Sequence, residues 1–188
     1  LNRLRYILGA ADKQVYARNC VVREVPRDDA RTFLEDNHIQ GYAPSTVRLG
    51  LYNNGALVAV QTFCKSRFTK DCEWELLRYS GLVVGGASKL LKYFESKYTP
   101  KSIVSYSDIR WNTGSLYYKL GFTLSHISDP NYFYFKGTKL ESRHGFQKHK
   151  LEAKLKKFDP LLSEVENMKL NGYSRIFDCG NMVFKKYY

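Results

Sequence analysis

Two polar side chains stand where an enzyme built on a sheet would place its chemistry, and each also has a purely structural interpretation. Asp108 follows the apolar run SIVSYS, so its carboxylate lies at the end of a predicted buried strand, where ligands of open sheets bind. It can act as a general base or hold a substrate amine, or it can cap a helix or pair with Arg110. His38 follows a predicted helix and precedes the loop IQGYAP. Its imidazole can act as a base or contact a nucleotide, or it can simply end the helix.

A third candidate, Arg78, lies in the predicted strand EWELLRYSGL (73–82). Glu75 and Arg78 are three residues apart, and side chains alternate along a strand. The spacing therefore predicts that the two face opposite sides of the sheet and that one of them points into a cleft. Arg78 can bind a phosphate there, or it can form an ion pair on the sheet surface.

The most suggestive loop is the glycine turn Val83-Val84-Gly85-Gly86-Ala87-Ser88-Lys89. It is neither a P-loop nor a dinucleotide-binding GxGxxG motif. It reads as strand, glycine turn and helix, and a helix start offers free N–H groups and positive partial charge to a phosphate. The alternative is a tight turn without a ligand.

The hydrophobic pattern predicts one α/β core followed by a smaller C-terminal part. The predicted order is β-α-β-β-β-α-β-α-β-β, with a hairpin at Asn53-Asn54-Gly55. We expect residues 1–19 to be a linker or the end of a missing upstream domain, because the chain starts without Met. Residues 20–138 form the core, and residues 139–188 form a basic appendage of helices and a hairpin that turns at Cys179-Gly180-Asn181.

The motif NTGSLYYKLGF (112–122), together with this element order, resembles the GNAT acetyltransferase superfamily. The resemblance implies a mixed, mostly antiparallel sheet flanked by helices, and a glycine-rich turn after the fourth strand that binds the pyrophosphate of acetyl-CoA or another acyl-CoA. It implies that residues 83–89 and Asn112 contact this cofactor. It also implies that Tyr117 protonates the leaving thiolate. The basic residue that usually opens the family's turn is absent here.

Four further stretches, DNHIQGY, EWELLRY, GGASKLL and SYSDIRWNTGSLY, resemble the phage Mom proteins, which modify adenine in DNA. The same four stretches resemble more strongly a domain of phage homing-endonuclease-type (Hef-like) proteins. The ending GYSRIFDCGNMVF also resembles that domain. This resemblance implies action on DNA in the cytoplasm of a phage-infected bacterium, with a nuclease domain as a possible upstream neighbour.

The net charge of +12 on 188 residues favours a polyanionic partner, nucleic acid before membrane. From Lys139 to Lys157, seven Lys and Arg stand against two Glu. The spacing of Lys150, Lys154 and Lys157 predicts one helical face of cations, and the alternative is a solvated surface helix. The predicted DNA contacts are Lys139, Arg143, Lys148, Lys150, Lys154 and Lys157.

Other features exclude several classes of protein. No apolar run reaches the roughly 20 residues that a membrane span needs. The four cysteines form no CxxC pair, which predicts reduced thiols and no metal site. No Ser-His-Asp order, nuclease carboxylate cluster, HNH or GIY-YIG signature is present.

Two functions lead, and the net charge argues against a third, a protein acetyltransferase unrelated to DNA. The first is a Mom-like, acyl-CoA-dependent transfer onto an amine of a DNA base, in which Asp108 or His38 assists the amine. The second is a DNA-recognition module without catalysis, attached to a nuclease.

Overall fold

The computed structural model describes residues 15–188. Within this range the largest sheet has seven strands in the order β2-β3-β4-β5-β7-β12-β8. The first four strands are antiparallel neighbours, and β5 pairs in parallel with β7. The predicted fold class, a mixed and mostly antiparallel sheet flanked by helices, is confirmed. The strands are β2 Val21–Glu24, β3 Val47–Asn53, β4 Ala56–Lys65, β5 Trp74–Gly81, β7 Ser102–Asp108, β8 Thr123–Ile127 and β12 Asn181–Tyr187.

Helices cover both faces of this sheet because its central strands are apolar on both sides. Helix α2, Gly86–Tyr98, buries Leu90, Leu91 and Phe94, and the Phe94 ring stacks on Phe63 of β4 at 3.8 Å. Helix α1, Arg27–Asn37, buries Ala30 and Leu34 in a separate cluster with Val60. The short helix α3, Ser115–Lys119, follows β7.

The hairpin between β3 and β4 turns at Asn54 and Gly55, as predicted. Both residues have positive φ, 48° and 83°, which matches the twist of the flanking strands.

Residues 15–19 belong to the main fold, which differs from the predicted linker. The two-residue strand β1, Val15–Tyr16, pairs in parallel with β6, Val83–Val84. Ala17 is buried in the main core. The rest of the predicted linker, residues 1–14, lies outside the described residues.

The chain divides into two compact units. The first contains the described residues up to Ser107, then Thr113–His126 and Met182–Tyr188; the second contains Asp108–Asn112 and Ile127–Asn181. This division differs from the predicted boundary at residue 139. The last strand returns to the large sheet because Val183 and Phe184 are apolar and become fully buried there.

The second unit has its own sheet of three antiparallel strands, in the order β10-β9-β11, and its own core. The strands are β9 Tyr132–Lys136, β10 Lys139–Ser142 and β11 Ser174–Phe177. The predicted hairpin of the last two strands is wrong, because β11 pairs with β9 while β12 joins the large sheet. The core consists of Tyr134, Phe146, Leu151 and Met168.

The helices of the second unit are short. Helix α4 spans only Lys148–Leu151, and α5 spans Glu164–Leu170 behind a capping box at Ser163 and Glu166. The basic run is therefore not one helix, and the prediction of a single helical face is wrong. Like charges four residues apart, as in Lys150 and Lys154, oppose a longer helix.

Two features are absent from residues 15–188. No helix there is long and apolar enough to cross a membrane. No group of three His, Cys, Asp or Glu side chains lies close enough there to bind a metal ion. All four cysteines fall in this range and none forms a disulfide.

Candidate active site

The large sheet opens between β5 and β7. These parallel strands pair at Trp74–Ile103, Glu75–Val104 and Leu76–Ser105. Past Leu76 no further pair joins them in the described structure, although β5 continues to Gly81. Main-chain groups on that side of β5 therefore have no neighbouring strand.

A β-bulge in β5 accompanies this opening. Thr62 of β4 pairs with Arg78, but the next residue, Phe63, pairs with Leu76. Leu77 is thus an extra residue, and a bulge bends its strand and re-aims the side chains that follow. Bulges are over-represented next to active sites for this reason.

The Tyr117 hydroxyl lies where the strands part. It is 3.0 Å from Oγ of Ser105, and that hydroxyl donates to the Leu76 carbonyl oxygen at 2.8 Å. Since a serine has one proton and a carbonyl can only accept, the Tyr117 O–H is the group that can donate to Ser105. Burial raises the pKa of Tyr117, so the phenol keeps its proton. Its ring stacks on Phe184 at 4.7 Å.

The bulge also places Glu75 and Arg78 on the same face. Glu75 lies opposite Cys64, and Arg78 lies opposite Thr62. Cys64 and Thr62 are two residues apart and share a face, so their partners share it too. The prediction that Glu75 and Arg78 face opposite sides is wrong, because the alternation rule counts no bulge.

Arg78 is held by backbone carbonyls. Its Nε donates to the Gly41 oxygen at 3.2 Å, and Nη1 donates to the Leu77 oxygen at 2.8 Å. The Gly41 N–H in turn donates to the His38 oxygen. The turn that follows α1 therefore packs against β5, and it brings His38 and Arg78 into one neighbourhood.

The bonds of His38 and Asp108 argue against a role as general base. Nδ1 of His38 accepts the N–H of Gln40 at 3.1 Å, so the neutral ring carries its proton on Nε2. The Asp108 carboxylate accepts from Arg110 Nε at 3.1 Å and Nη2 at 2.7 Å. These hydrogen bonds lower the pKa of Asp108. Among the interpretations of Asp108, the structure contains the ion pair with Arg110.

The glycine turn lies where predicted, after the fourth strand of the large sheet in chain order. Gly85 is exposed with φ 73° and precedes the first residue of α2. Gly86 is buried, and a Cβ on it would lie 2.7 Å from the Tyr79 hydroxyl. The Lys89 ammonium donates to the Ala17 and Cys20 carbonyls at 2.9 and 2.6 Å. What the turn offers an anion is therefore the main-chain N–H groups at the start of α2.

The remaining predicted cofactor contacts differ in exposure. Val84 is exposed, Ser88 is half-buried, and Val83 and Ala87 are buried in the core. Asn112 is exposed and lies in the second unit, where its N–H donates to the Asp108 oxygen at 3.1 Å.

The predicted DNA contacts all lie in the second unit and are all exposed. They are Lys139, Arg143, Lys148, Lys150, Lys154 and Lys157. Four of them have local partners. Lys139 pairs with Glu141, Lys150 donates to the His144 oxygen, Lys154 donates to the Gly145 oxygen, and the Arg143 guanidinium lies 5.1 Å from the centre of the Tyr132 ring.

Sequence reasoning missed three groups of this site. Ser105 links Tyr117 to β5 through its hydroxyl. Arg67 neutralises the buried Glu75, with Nη2 2.7 Å from Oε1. Gln61 and Thr62 are fully buried, and their side chains have no hydrogen-bond partner within residues 15–188. A polar pair inside the apolar strand ALVAVQTF was a signal that could have been noticed.

No protein-family model matches this chain, and no curated protein matches it. The chain is similar to several solved acetyltransferases. A GNAT-family acetyltransferase from Bacillus cereus is 14% identical with a TM-score of 0.49, over 89% of this chain and 96% of that one. A Bacillus subtilis acetyltransferase, solved in complex with CoA, is 14% identical with a TM-score of 0.49, over 90% and 99%. An N-acetyltransferase from Staphylococcus aureus is 18% identical with a TM-score of 0.44, over 60% and 88%.

Proposed function

We propose that this chain transfers an acyl group from acyl-CoA to an amine of a DNA base. The observation that carries the proposal is the opening between β5 and β7 with the protonated Tyr117 hydroxyl at its closed end. An opening along which the main chain of β5 has no neighbouring strand suits an extended, amide-containing ligand such as the pantetheine arm of CoA.

The start of α2 supports a phosphate at one end of this ligand. The first N–H groups of a helix have no partner within the helix and carry positive partial charge. Gly85 is exposed and has no side chain, so a pyrophosphate can approach the backbone there.

Acyl-CoA, when bound, supplies an acyl group activated as a thioester. The acceptor nitrogen forms the new C–N bond while the C–S bond breaks, and the departing sulfur takes the Tyr117 proton. The acceptor nitrogen loses its own proton to water, since Asp108 and His38 have their basic atoms engaged. Tyr117 then regains a proton from solvent.

Ser88 allows a test of cofactor binding that leaves the fold intact. It occupies the third position of α2, where a carboxylate stabilises a helix but repels a phosphate. We expect Ser88→Asp to weaken CoA binding at least tenfold in calorimetry, about 1.4 kcal/mol. Ser88→Asn is the matched control and should bind CoA like the wild type. Equal CoA affinity in both variants, or no CoA binding by the wild type, contradicts the proposal.

The DNA acceptor is tested by mass spectrometry of digested DNA after incubation with protein and acetyl-CoA. An acetylated nucleoside is expected. Acetylation of a free amine such as lysinamide but not of DNA would keep acyl transfer and reject the DNA acceptor.

A second function, DNA recognition without catalysis, is favoured by one observation. The Lys89 ammonium is engaged by backbone carbonyls, and no basic side chain occupies the usual position before the turn. DNA binding by a wild-type protein that does not bind CoA would select this function.

A further inference from the structure

Arg78 has donor capacity that the fold does not use. Its Nε and Nη1 atoms donate to carbonyls of Gly41 and Leu77. Its third nitrogen, Nη2, has no hydrogen-bond partner among the described residues. Arg78 is half-buried, but Nη2 is not one of the buried atoms that lack a partner, so solvent or the oxygen of a ligand can reach it.

The nearest carboxylate does not neutralise Arg78. Glu75 shares its face but is 2% exposed and accepts two bonds from Arg67, at 3.1 Å from Nε and 2.7 Å from Nη2. The cluster therefore contains two positively charged guanidinium groups, of Arg67 and Arg78, and one negatively charged carboxylate, of Glu75. Burial, and then the charge of Arg67, lower the pKa of Arg78, which means that the surroundings disfavour its charge.

This excess positive charge lies in the candidate active site. Arg78 lies two residues past Leu76, the last residue of β5 that pairs with β7, and the Ser105 hydroxyl that contacts Tyr117 donates to the Leu76 oxygen. Burial raises the pKa of Tyr117, and the charge of Arg78 acts in the opposite direction. The side chain of Arg67 is 45% exposed, so solvent and ligands reach this cluster.

We propose that Arg78, assisted by Arg67, binds an oxyanion that the acceptor carries close to its reacting amine. The inference rests on the proposed function and adds a requirement on the acceptor: a phosphate next to the amine in a nucleic acid, or a carboxylate in an amino acid. The N–H groups of Nη2 can donate to either kind of oxyanion.

The test compares paired probes that differ only in the anion. Binding of deoxyadenosine 5′-monophosphate and deoxyadenosine is measured by calorimetry in the presence of saturating CoA, and lysine and lysinamide form the second pair. We expect the wild type to prefer one anionic probe at least tenfold, as for one charge-assisted hydrogen bond. Arg78→Gln should abolish that preference, and Arg78→Lys should restore part of it.

Arg48→Gln is the matched control. Arg48 also donates to two carbonyls, of Val25 and Ser45, through Nε and Nη1, so its loss costs similar backbone contacts. If Arg48→Gln removes the preference as fully as Arg78→Gln, the effect comes from the segment 38–46 between α1 and β3, which both arginines contact, and the proposal is overturned. It is also overturned if the wild type has no preference in either pair.

The two proposals fail in different ways. A preference for the monophosphate supports a nucleic-acid acceptor, and a preference for lysine supports the oxyanion site but contradicts the DNA acceptor. If the wild-type protein does not bind CoA, acyl transfer is contradicted. The probe comparison is then repeated without CoA, and the same outcomes decide whether Arg78 binds an oxyanion.

Discussion

The Tyr117 hydroxyl lies 3.0 Å from Oγ of Ser105, on the last residue of β7 that pairs with β5. The same serine donates to the Leu76 carbonyl at 2.8 Å. One hydroxyl thus joins the proposed acid to both strands at the point where they part. The acid is positioned by the sheet itself and not by a mobile loop.

Replacing Tyr117 by Phe should remove the acid and keep the packing. General acid catalysis contributes about 10²–10⁴-fold, so we expect kcat for acyl transfer to fall within that range while the Kd of CoA is unchanged. Tyr118→Phe is the control, because Tyr118 is 53% exposed and contacts the same Phe184 edge-on. An unchanged kcat in Tyr117→Phe would rule out the acid role.

The Arg67–Glu75 pair gives a prediction about stability. Arg67→Gln removes the cation bonded to the buried Glu75 carboxylate; because Arg67 is 45% exposed and Arg78 lies on the same face, we expect a loss of unfolding free energy below the about 3–5 kcal/mol of a fully buried pair. The double variant Arg67→Gln, Glu75→Gln should recover part of this loss, because no buried charge remains. Urea denaturation of the two variants measures the difference. A double variant less stable than the single one would contradict this account.

The ion pair of Asp108 predicts a pH dependence. Arg110 lowers the pKa of Asp108 in the folded protein, so the stabilisation is complete above the unfolded value, about 3.9. It is lost as pH falls through the lower folded value. At neutral pH we expect Asp108→Asn to be about 1.5–3 kcal/mol less stable than wild type. This gap should close on acidification; a gap that persists at low pH would contradict the ion-pair origin.

The basic run gives a prediction about DNA that follows from the corrected structure. The ammonium groups of Lys150 and Lys154 bind local carbonyls, whereas Lys148, Lys156 and Lys157 are exposed and make no such side-chain bonds within the described residues. Replacing these three by Gln should flatten the dependence of log affinity on log salt by about 2–3 units, at about 0.9 per phosphate contact. Fluorescence anisotropy with duplex DNA measures the slope.

Replacement of Lys150 and Lys154 by Gln is the comparison for that experiment. This double variant should lower the unfolding free energy, because both side chains bind local carbonyls. It should change the salt slope less than the triple variant does. If the triple variant keeps the wild-type slope, these cations form a solvated surface and the DNA-binding surface lies elsewhere.

Local patterns in the sequence determined most of the large sheet. Alternating and apolar runs placed β2 to β5 and β7, the Asn53-Asn54-Gly55 turn fixed one hairpin, and apolar positions in α2 identified its buried face. These features depend on neighbouring residues only, since period and turn conformation are local properties. The glycine turn was found for the same reason, whereas the role of Tyr117 came from the resemblance of its motif to a known superfamily.

Only the tertiary structure decided which groups meet. The extra residue at Leu77 exists only relative to the register of β4, and it moved Arg78 to the face of Glu75. The final strand reads as half of a hairpin, but burial of Val183 and Phe184 in the large sheet outweighed the nearby partner β11. Register and strand partners depend on contacts between residues far apart in the chain, and no local pattern encodes them.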